Sequence, residues 1–276
     1  MSKTKIICEA ASSWNGDPDL LKAMIKSASE NGGDVFKIQD YRASNVPDDD
    51  SDKKRYEKYQ MPDELYPQFI EWCKEFNIEP LTTCFNVDRC EFLASLGLKK
   101  IKLASISLTN IELIKACTDN FDEVIVSTAM HTKEEVEEAI ELLAGSPFTI
   151  MHCVANYPTL PKDANLERIN ELKKLANSVG YSDHSLNLDV AKTAIAMGVD
   201  YIEKHFSLSR YLPQIPHQMY EGGPLITTHQ VSIEPHELKE LSDWRDKVEV
   251  MKGKGEFKTN EIEDKIRSRY QNRYGR

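Results

Sequence analysis

Short runs of β-branched residues alternate with longer amphipathic segments from one end of this chain to the other, the pattern of a parallel sheet with helical crossovers. The runs "KIICEA" (5–10), "DVFKIQ" (34–39), "IEPLTT" (78–83), "KIKLAS" (100–105), "EVIVST" (123–128), "FTIMHC" (148–153), "VGYSDH" (179–184) and "DYIEKHF" (200–206) read as eight strands, each followed by a helical stretch. The first helix opens at "GDPD", with Pro18 suited to its first turn and Leu20, Leu21, Met24, Ile25 and Ala28 on one face. Others are expected over 62–76, 88–96, 109–118, 132–143 (with Thr132 as N-cap), 166–177, 187–197 and 235–250. Eight such units in about 250 residues predict an α/β protein of the (β/α)8 TIM-barrel type. A doubly wound open sheet competes, but no G-x-G-x-x-G follows the first strand. The barrel is expected over residues 1–250, with 251–276 a basic tail that serves as a linker or docking arm.

The net charge of −10 sets a global field that repels nucleic acid and anionic membranes, so an anionic ligand has to be held by local cations. The six cysteines form no CxxC pair, the N-terminus lacks the apolar run of a secretion signal, and no segment approaches the ~20 apolar residues of a membrane span. A reduced, cytoplasmic setting is the natural expectation. Two stretches break the strand–helix rhythm. Residues 40–61 are polar and long for a loop of this kind and are expected to form a lid or binding loop. Residues 211–230, with three prolines and two glycines, read as an irregular loop on the same side.

In such a barrel the C-terminal strand ends converge on one mouth, so they can be read as a set of side chains. Here they bring Glu9, Lys37 and Gln39, Thr82 and Thr83, Lys102 and Ser105, Ser127 and Thr128, His152, Ser182 with Asp183 and His184, and Glu203 with His205. A single histidine at a strand end is ordinarily a hydrogen-bonded structural residue, but His184 and His205 end neighbouring strands and could share a divalent metal. His152 reads as an orienting group behind them. Lys37 and Lys102 emerge from apolar sequence, where an unpaired ammonium is not tolerated. Three partners stay open: a phosphate helped by Ser105, Ser127, Thr83 and Ser182; structural ion pairs with Glu9 or Glu203; or a Schiff base as in an aldolase.

The stretches "KIICEAASSWNGD", "VFKIQDY", "IKLASISLTN", "VIVSTAM", "MHCVANYPTLPKDANL", "GYSDHS" and "YIEKHFSLSR" resemble, in order and spacing, the N-acetylneuraminate (sialic acid) synthase family over about residues 5–250. That resemblance implies condensation of phosphoenolpyruvate with an aldose, N-acetylmannosamine or a related sugar, to a 3-deoxy-2-keto sugar acid and phosphate. It implies a divalent ion, usually Mn²⁺ with Mg²⁺ and Co²⁺ as alternatives, on the histidines matching His184 and His205. Glu9 matches the acid that positions or activates a water. Lys37, Thr83, Lys102, Ser105, Ser127, Asn156, Tyr157 and Ser182 match positions that grip phosphoenolpyruvate, with Gln39 and Asp183 in support. A homodimer is the family expectation.

Two departures fall at the sugar end. Where the family usually reads Gly-x-Asn-His after the first acid, this chain has Ala11, Ser13 and Trp14, and the acid that contacts the sugar aligns with Pro216, leaving His217. The family's small C-terminal antifreeze-like domain would begin where this sequence stops. Its arginine is expected from a separate protein, or from Arg210, the extra loop or the basic tail, or the sugar is one that does not need it. The competing readings are a lysine-dependent aldolase or lyase on the same barrel and a non-catalytic relative that binds sugar acids.

Overall fold

A computed structural model of the chain describes residues 3–274. Its elements run β1 (Lys5–Glu9), α1 (Pro18–Glu30), β2 (Val35–Asp40), α2 (Lys53–Tyr59), α3 (Tyr66–Glu75), β3 (Glu79–Cys84), α4 (Val87–Ser95), β4 (Lys100–Leu103), α5 (Ile111–Asn120), β5 (Glu123–Ser127), α6 (Lys133–Leu143), β6 (Phe148–Cys153), α7 (Arg168–Leu172), β7 (Val179–Asp183), α8 (Asp189–Ala196), β8 (Tyr201–His205), β9 (His217–Gln218), β10 (Leu225–Ile226), α9 (Pro235–Lys252) and α10 (Glu261–Tyr274). Strands β1 to β8 close into a parallel barrel in sequence order, the expected TIM barrel. The seam joins β8 to β1 in a register that sets Glu9 beside His205. Among the described residues no helix is long and apolar enough to cross a membrane.

Alternation along each strand sends one set of residues outward to the helices and the other into the lumen. The outward set includes Ile6, Phe36, Ile101, Val124, Val126, Ile150 and Ile202, which join α1, α3, α5, α8 and α9 in the main hydrophobic core. The inward set stacks in three layers. At the N-terminal end Lys5, Glu79, Lys100 and Glu123 form an ion-pair chain: Lys5 to Glu79 at 3.4 Å, and Lys100 to Glu79 and to Glu123 at 3.1 Å each. Above it Ile7, Val35, Leu81, Ile125, Met151 and Tyr201 make a separate apolar plug. A Cβ on Gly180 would lie 2.9 Å from the Met151 side chain, so β7 yields its place in this layer to its neighbour. The third layer is the mouth.

Three helical boundaries differ from expectation, each for a local reason. The polar loop 40–61 contains α2, whose Lys53 ammonium is tied to the carbonyls of Ala43 and Val46. Helix α7 stops at Leu172 because the backbone bonds shift to i−3 partners, Lys174 N to Glu171 O and Leu175 N to Leu172 O. In the tail, Asn260 caps α10 by accepting from the Ile262 and Glu263 amides, while Glu263 accepts from the Asn260 amide. Nothing in α10 is buried, so capping and charge placement rather than packing make it helical.

Candidate active site at the barrel mouth

The third layer encloses a cavity of about 90 Å³ lined by Glu9, Lys37, Gln39, Thr83, Lys102, Ala104, Ser105, Ser127, Cys153, Tyr157, Ser182, His184, Glu203 and His205. A larger cavity of about 280 Å³ between α6 and α7 holds no comparable group of buried charges. The buried charges therefore concentrate at the mouth.

Its centre is a buried array of two acids and two ammonium groups. Lys37 spends its three protons on Glu9, on Glu203 at 3.3 Å and on the Thr83 hydroxyl at 3.0 Å. Lys102 donates to Ser127 and stands 4.0 Å from Glu203, which leaves its remaining N–H donors uncommitted. Burial opposes both charges. In Lys37 the nearby Glu203 and Glu9 outweigh burial and the pKa is raised; in Lys102 burial wins over Glu203, and Lys37 adds repulsion, so the pKa is lowered. The acids separate as well. Burial raises the Glu9 carboxyl, while Lys102, Lys37 and the Ser182 hydroxyl overcome burial and hold Glu203 at about 2. Two carboxyls in one cavity, one firmly ionised and one poised to take a proton, are what acid–base chemistry requires.

Across the cavity, the His184 and His205 rings lie 5.5 Å apart. His184 donates from Nδ1 to the Val154 carbonyl, which fixes the tautomer and turns the Nε2 lone pair toward the Tyr157 hydroxyl at 2.8 Å. Burial lowers the His184 pKa to about 4, and burial together with His184 lowers that of His205 further below the usual value. Both imidazoles are therefore neutral, and His205 Nδ1 is buried without a hydrogen-bond partner. A pair of neutral imidazoles facing two carboxylates is a donor set that fits a divalent cation.

Of the residues singled out in the sequence, Glu9, Lys37, Gln39, Thr83, Lys102, Ser105, Ser127, Tyr157, Ser182, His184 and His205 share this cavity. Three do not. Asp183 points out of the barrel, where it pairs with Lys204 at 2.9 Å and accepts from the Ser185 amide and hydroxyl; it braces the turn beneath His184 and does not line the cavity. Asn156 lines a neighbouring surface recess. His217 lies on β9, where burial, with Arg55 adding repulsion, lowers its pKa to about 4. Thr82, Thr128 and His152 also lie on the outward parity, His152 bonding the Ala164 carbonyl. Conversely, Cys153 lines the cavity without being singled out in the sequence, and Glu203, expected at the mouth only as a structural ion-pair partner of the lysines, is one of its two central acids. Strand parity would have found both, since Cys153 registers with Ser182 and Ser182 with Glu203.

The mouth is roofed by three loops. Lys58 of α2 approaches Gly16 so closely that a Cβ there would strike its carbonyl, and φ at Gly16 is +72°. The Tyr59 hydroxyl accepts from the Ile215 amide at 2.8 Å, joining α2 to the 211–230 loop. Beneath this roof Ser12, Gln214 and Thr228 form a hydroxyl–amide cluster, with Ser13 reaching His229.

A family model described as "NeuB family" matches residues 24–257. An N,N'-diacetyllegionaminic acid synthase of Campylobacter jejuni is 31% identical, covering 96% of this chain and 82% of the relative. A Legionella pneumophila protein of the same name is also 31% identical, over 95% of this chain and 77% of its own. Among solved structures, the N-acetylneuraminic acid synthetase of Leptospira borgpetersenii superposes with a TM-score of 0.89 at 28% identity, covering 99% of this chain and 93% of that one.

Proposed function

The chain belongs to the NeuB family, and from that premise we propose that it joins phosphoenolpyruvate to an acylamino aldose, giving a sialic-acid-like 3-deoxy-2-keto sugar acid and phosphate. The observation that carries this reading is the single cavity in which Lys102, with uncommitted donors, faces a neutral histidine pair across the Glu9–Lys37–Glu203 array.

In this reading Lys102 and the hydroxyls of Ser105, Ser127, Thr83 and Ser182 hold the phosphate and carboxylate of phosphoenolpyruvate. Lys37 keeps the two acids apart in charge and together in space. The C2=C3 π pair of phosphoenolpyruvate attacks the aldehyde carbon, forming the C–C bond; the carbonyl π pair moves to the aldehyde oxygen, which takes up a proton to become a hydroxyl, and carbon 2 is left as an oxocarbenium centre. Water adds to carbon 2, and its proton passes to Glu9, the carboxyl that burial has made the better base. The carbon 2 hydroxyl then gives up its proton and its electron pair forms the keto C=O as the bond between carbon 2 and the phosphate oxygen breaks, and phosphate leaves with that proton. His184 and His205, with Glu9 and Glu203 at hand, would hold the divalent ion, Mn²⁺ by expectation; when bound it supplies Lewis acidity toward the aldehyde oxygen. The Ser12–Gln214–Thr228 cluster joins the two stretches, 11–14 and 211–230, in which the family's usual residues are replaced, and the choice of acceptor is assigned to these stretches.

The test is phosphate release with phosphoenolpyruvate, Mn²⁺ and a panel of aldoses, with the product identified by mass. Release that needs both substrates and stops on adding a chelator is expected. A metal-loaded protein that releases no phosphate with any aldose in a broad panel would overturn the reading. A second reading rests on Lys102 alone, whose lowered pKa also suits imine formation. Borohydride trapping of a keto acid on Lys102 would establish that alternative, because the condensation needs no imine.

A further inference from the structure

Cys84 ends β3, Cys90 sits on α4 and Cys117 on α5, and all three are fully buried. Thr83 lines the mouth, so its neighbour Cys84 faces the opposite way, into the layer between strands and helices. The three sulfurs converge there: Cys84 to Cys90 is 3.7 Å, Cys90 to Cys117 is 3.5 Å, and all lie within 4.8 Å of one another. The carbonyl oxygen of Asn86 stands on the same cluster, 3.2 Å from the Cys84 sulfur and 3.9 Å from that of Cys90.

Cysteine as a small core hydrophobe does not require three sulfurs and a carbonyl oxygen to meet at one point. A tetrahedral ion does. With metal–sulfur bonds of about 2.3 Å and a metal–oxygen bond of about 2.1 Å, the sulfurs lie about 3.8 Å from each other and about 3.6 Å from the oxygen. The Cys84–Cys90 and Cys90–Cys117 edges and the two edges from the Asn86 oxygen fall within about 0.4 Å of these values, and the remaining sulfur–sulfur edge stays within 4.8 Å. Cys84 and Cys90 also flank the N-terminal turn of α4, whose dipole favours the thiolate over the thiol.

We propose that Cys84, Cys90 and Cys117, with the Asn86 carbonyl, form a binding site for a thiophilic divalent cation of the Zn²⁺ class, separate from the barrel mouth. Loading exchanges three S–H protons for three metal–sulfur bonds and releases the protons to solvent, so it strengthens as pH rises. The ion ties β3 to α4 and α5 and is structural in kind, since no position on it is open to solvent.

Co²⁺ serves as the spectroscopic probe, added to the reduced full-length chain during refolding under anaerobic conditions. One equivalent is expected to give the near-ultraviolet sulfur-to-cobalt charge-transfer band and the visible bands of tetrahedral cobalt, with Zn²⁺ bleaching both. Cys90→Ala should abolish the charge-transfer band, and the double variant His184→Ala/His205→Ala should keep it. No such band in the wild type, a band that survives Cys90→Ala, or one lost with the histidine pair overturns the site. Should Cys90→Ala fail to fold, the Tm of the double histidine variant decides: Zn²⁺ raises it if the site exists, and an unmoved Tm rules the site out.

Discussion

The barrel lumen carries two charged layers of nearly the same composition, and they behave in opposite ways. At the N-terminal end Lys5, Glu79, Lys100 and Glu123 alternate in sign, and the Tyr201 hydroxyl completes the coordination of Lys100 at 3.0 Å. At the C-terminal end Glu9, Lys37, Lys102 and Glu203 sit as close together, yet one ammonium keeps unspent donors and His205 keeps an unpartnered nitrogen. Lys100 and Lys102 stand two residues apart on one strand, both pointing inward. Burial works against the charge of each; at Lys100 the Tyr201 hydroxyl, Glu123 and Glu79 overcome it and raise the pKa, whereas at Lys102 it prevails and the pKa falls. A layer whose charges are all answered is architecture, and a layer left short of partners is prepared for a ligand.

Substitutions at the two lysines should separate these roles. The largest effect is expected for Lys102→Met, which removes the free donor: kcat/KM falls by roughly 10²- to 10³-fold, the range for losing one preorganised donor to developing charge. The Tm should be unchanged or higher, because a buried ammonium short of partners has gone. A large drop in Tm would make Lys102 a structural residue and erase the contrast.

Next in size is a pH effect on anion binding. The lowered pKa of Lys102 means that its charge, and with it affinity for inorganic phosphate or phosphoenolpyruvate, is present at low pH and lost as pH rises through that depressed value, below the usual ~10.4 of lysine. The limiting slope is about tenfold in Kd per pH unit, measurable by calorimetry. In the Lys102→Met variant the slope should vanish. An affinity that holds up to the ordinary lysine range would show the two ends to be alike.

The smallest effect belongs to Lys100→Met, which leaves Glu79 and Glu123 facing each other without their shared cation. It should cost roughly 1–3 kcal/mol in urea unfolding, less than a fully buried pair because the layer is partly open to water. Activity per folded molecule should stay within about twofold. A loss of activity without a loss of stability would extend the functional region down the lumen.

Much of this was legible in the sequence because strand geometry is strict. Once eight strands were placed, a period of two fixed which residues share the lumen, and the polar ones near each C-terminal end fell into one cavity. Parity also explains the misplacement of Asp183, which was read with Ser182 and His184 although adjacent residues on a strand face opposite ways. Asn156 lies in a loop and His217 on the two-residue β9, both outside the barrel strands, where the barrel's repeat does not dictate direction. Helices α2 and α10 were hidden for another reason: both are polar nearly all round, one held by side chain to carbonyl bonds and the other by its cap, so neither shows an apolar stripe. Charge pairing was the least legible feature, since phosphate contacts and internal ion pairs draw on the same residue types. Lys37 turned out to satisfy itself within the protein and Lys102 did not.

The register that sets Glu9 beside His205 joins residues separated by almost the whole barrel sequence. That contact closes the longest loop in the barrel and cannot form until the eighth strand has been made. A nascent chain still emerging from the ribosome, or a fragment cut before the eighth strand, therefore holds the acid without its imidazole, and its mouth is not yet enclosed. The topology thus ties assembly of the mouth to completion of the barrel.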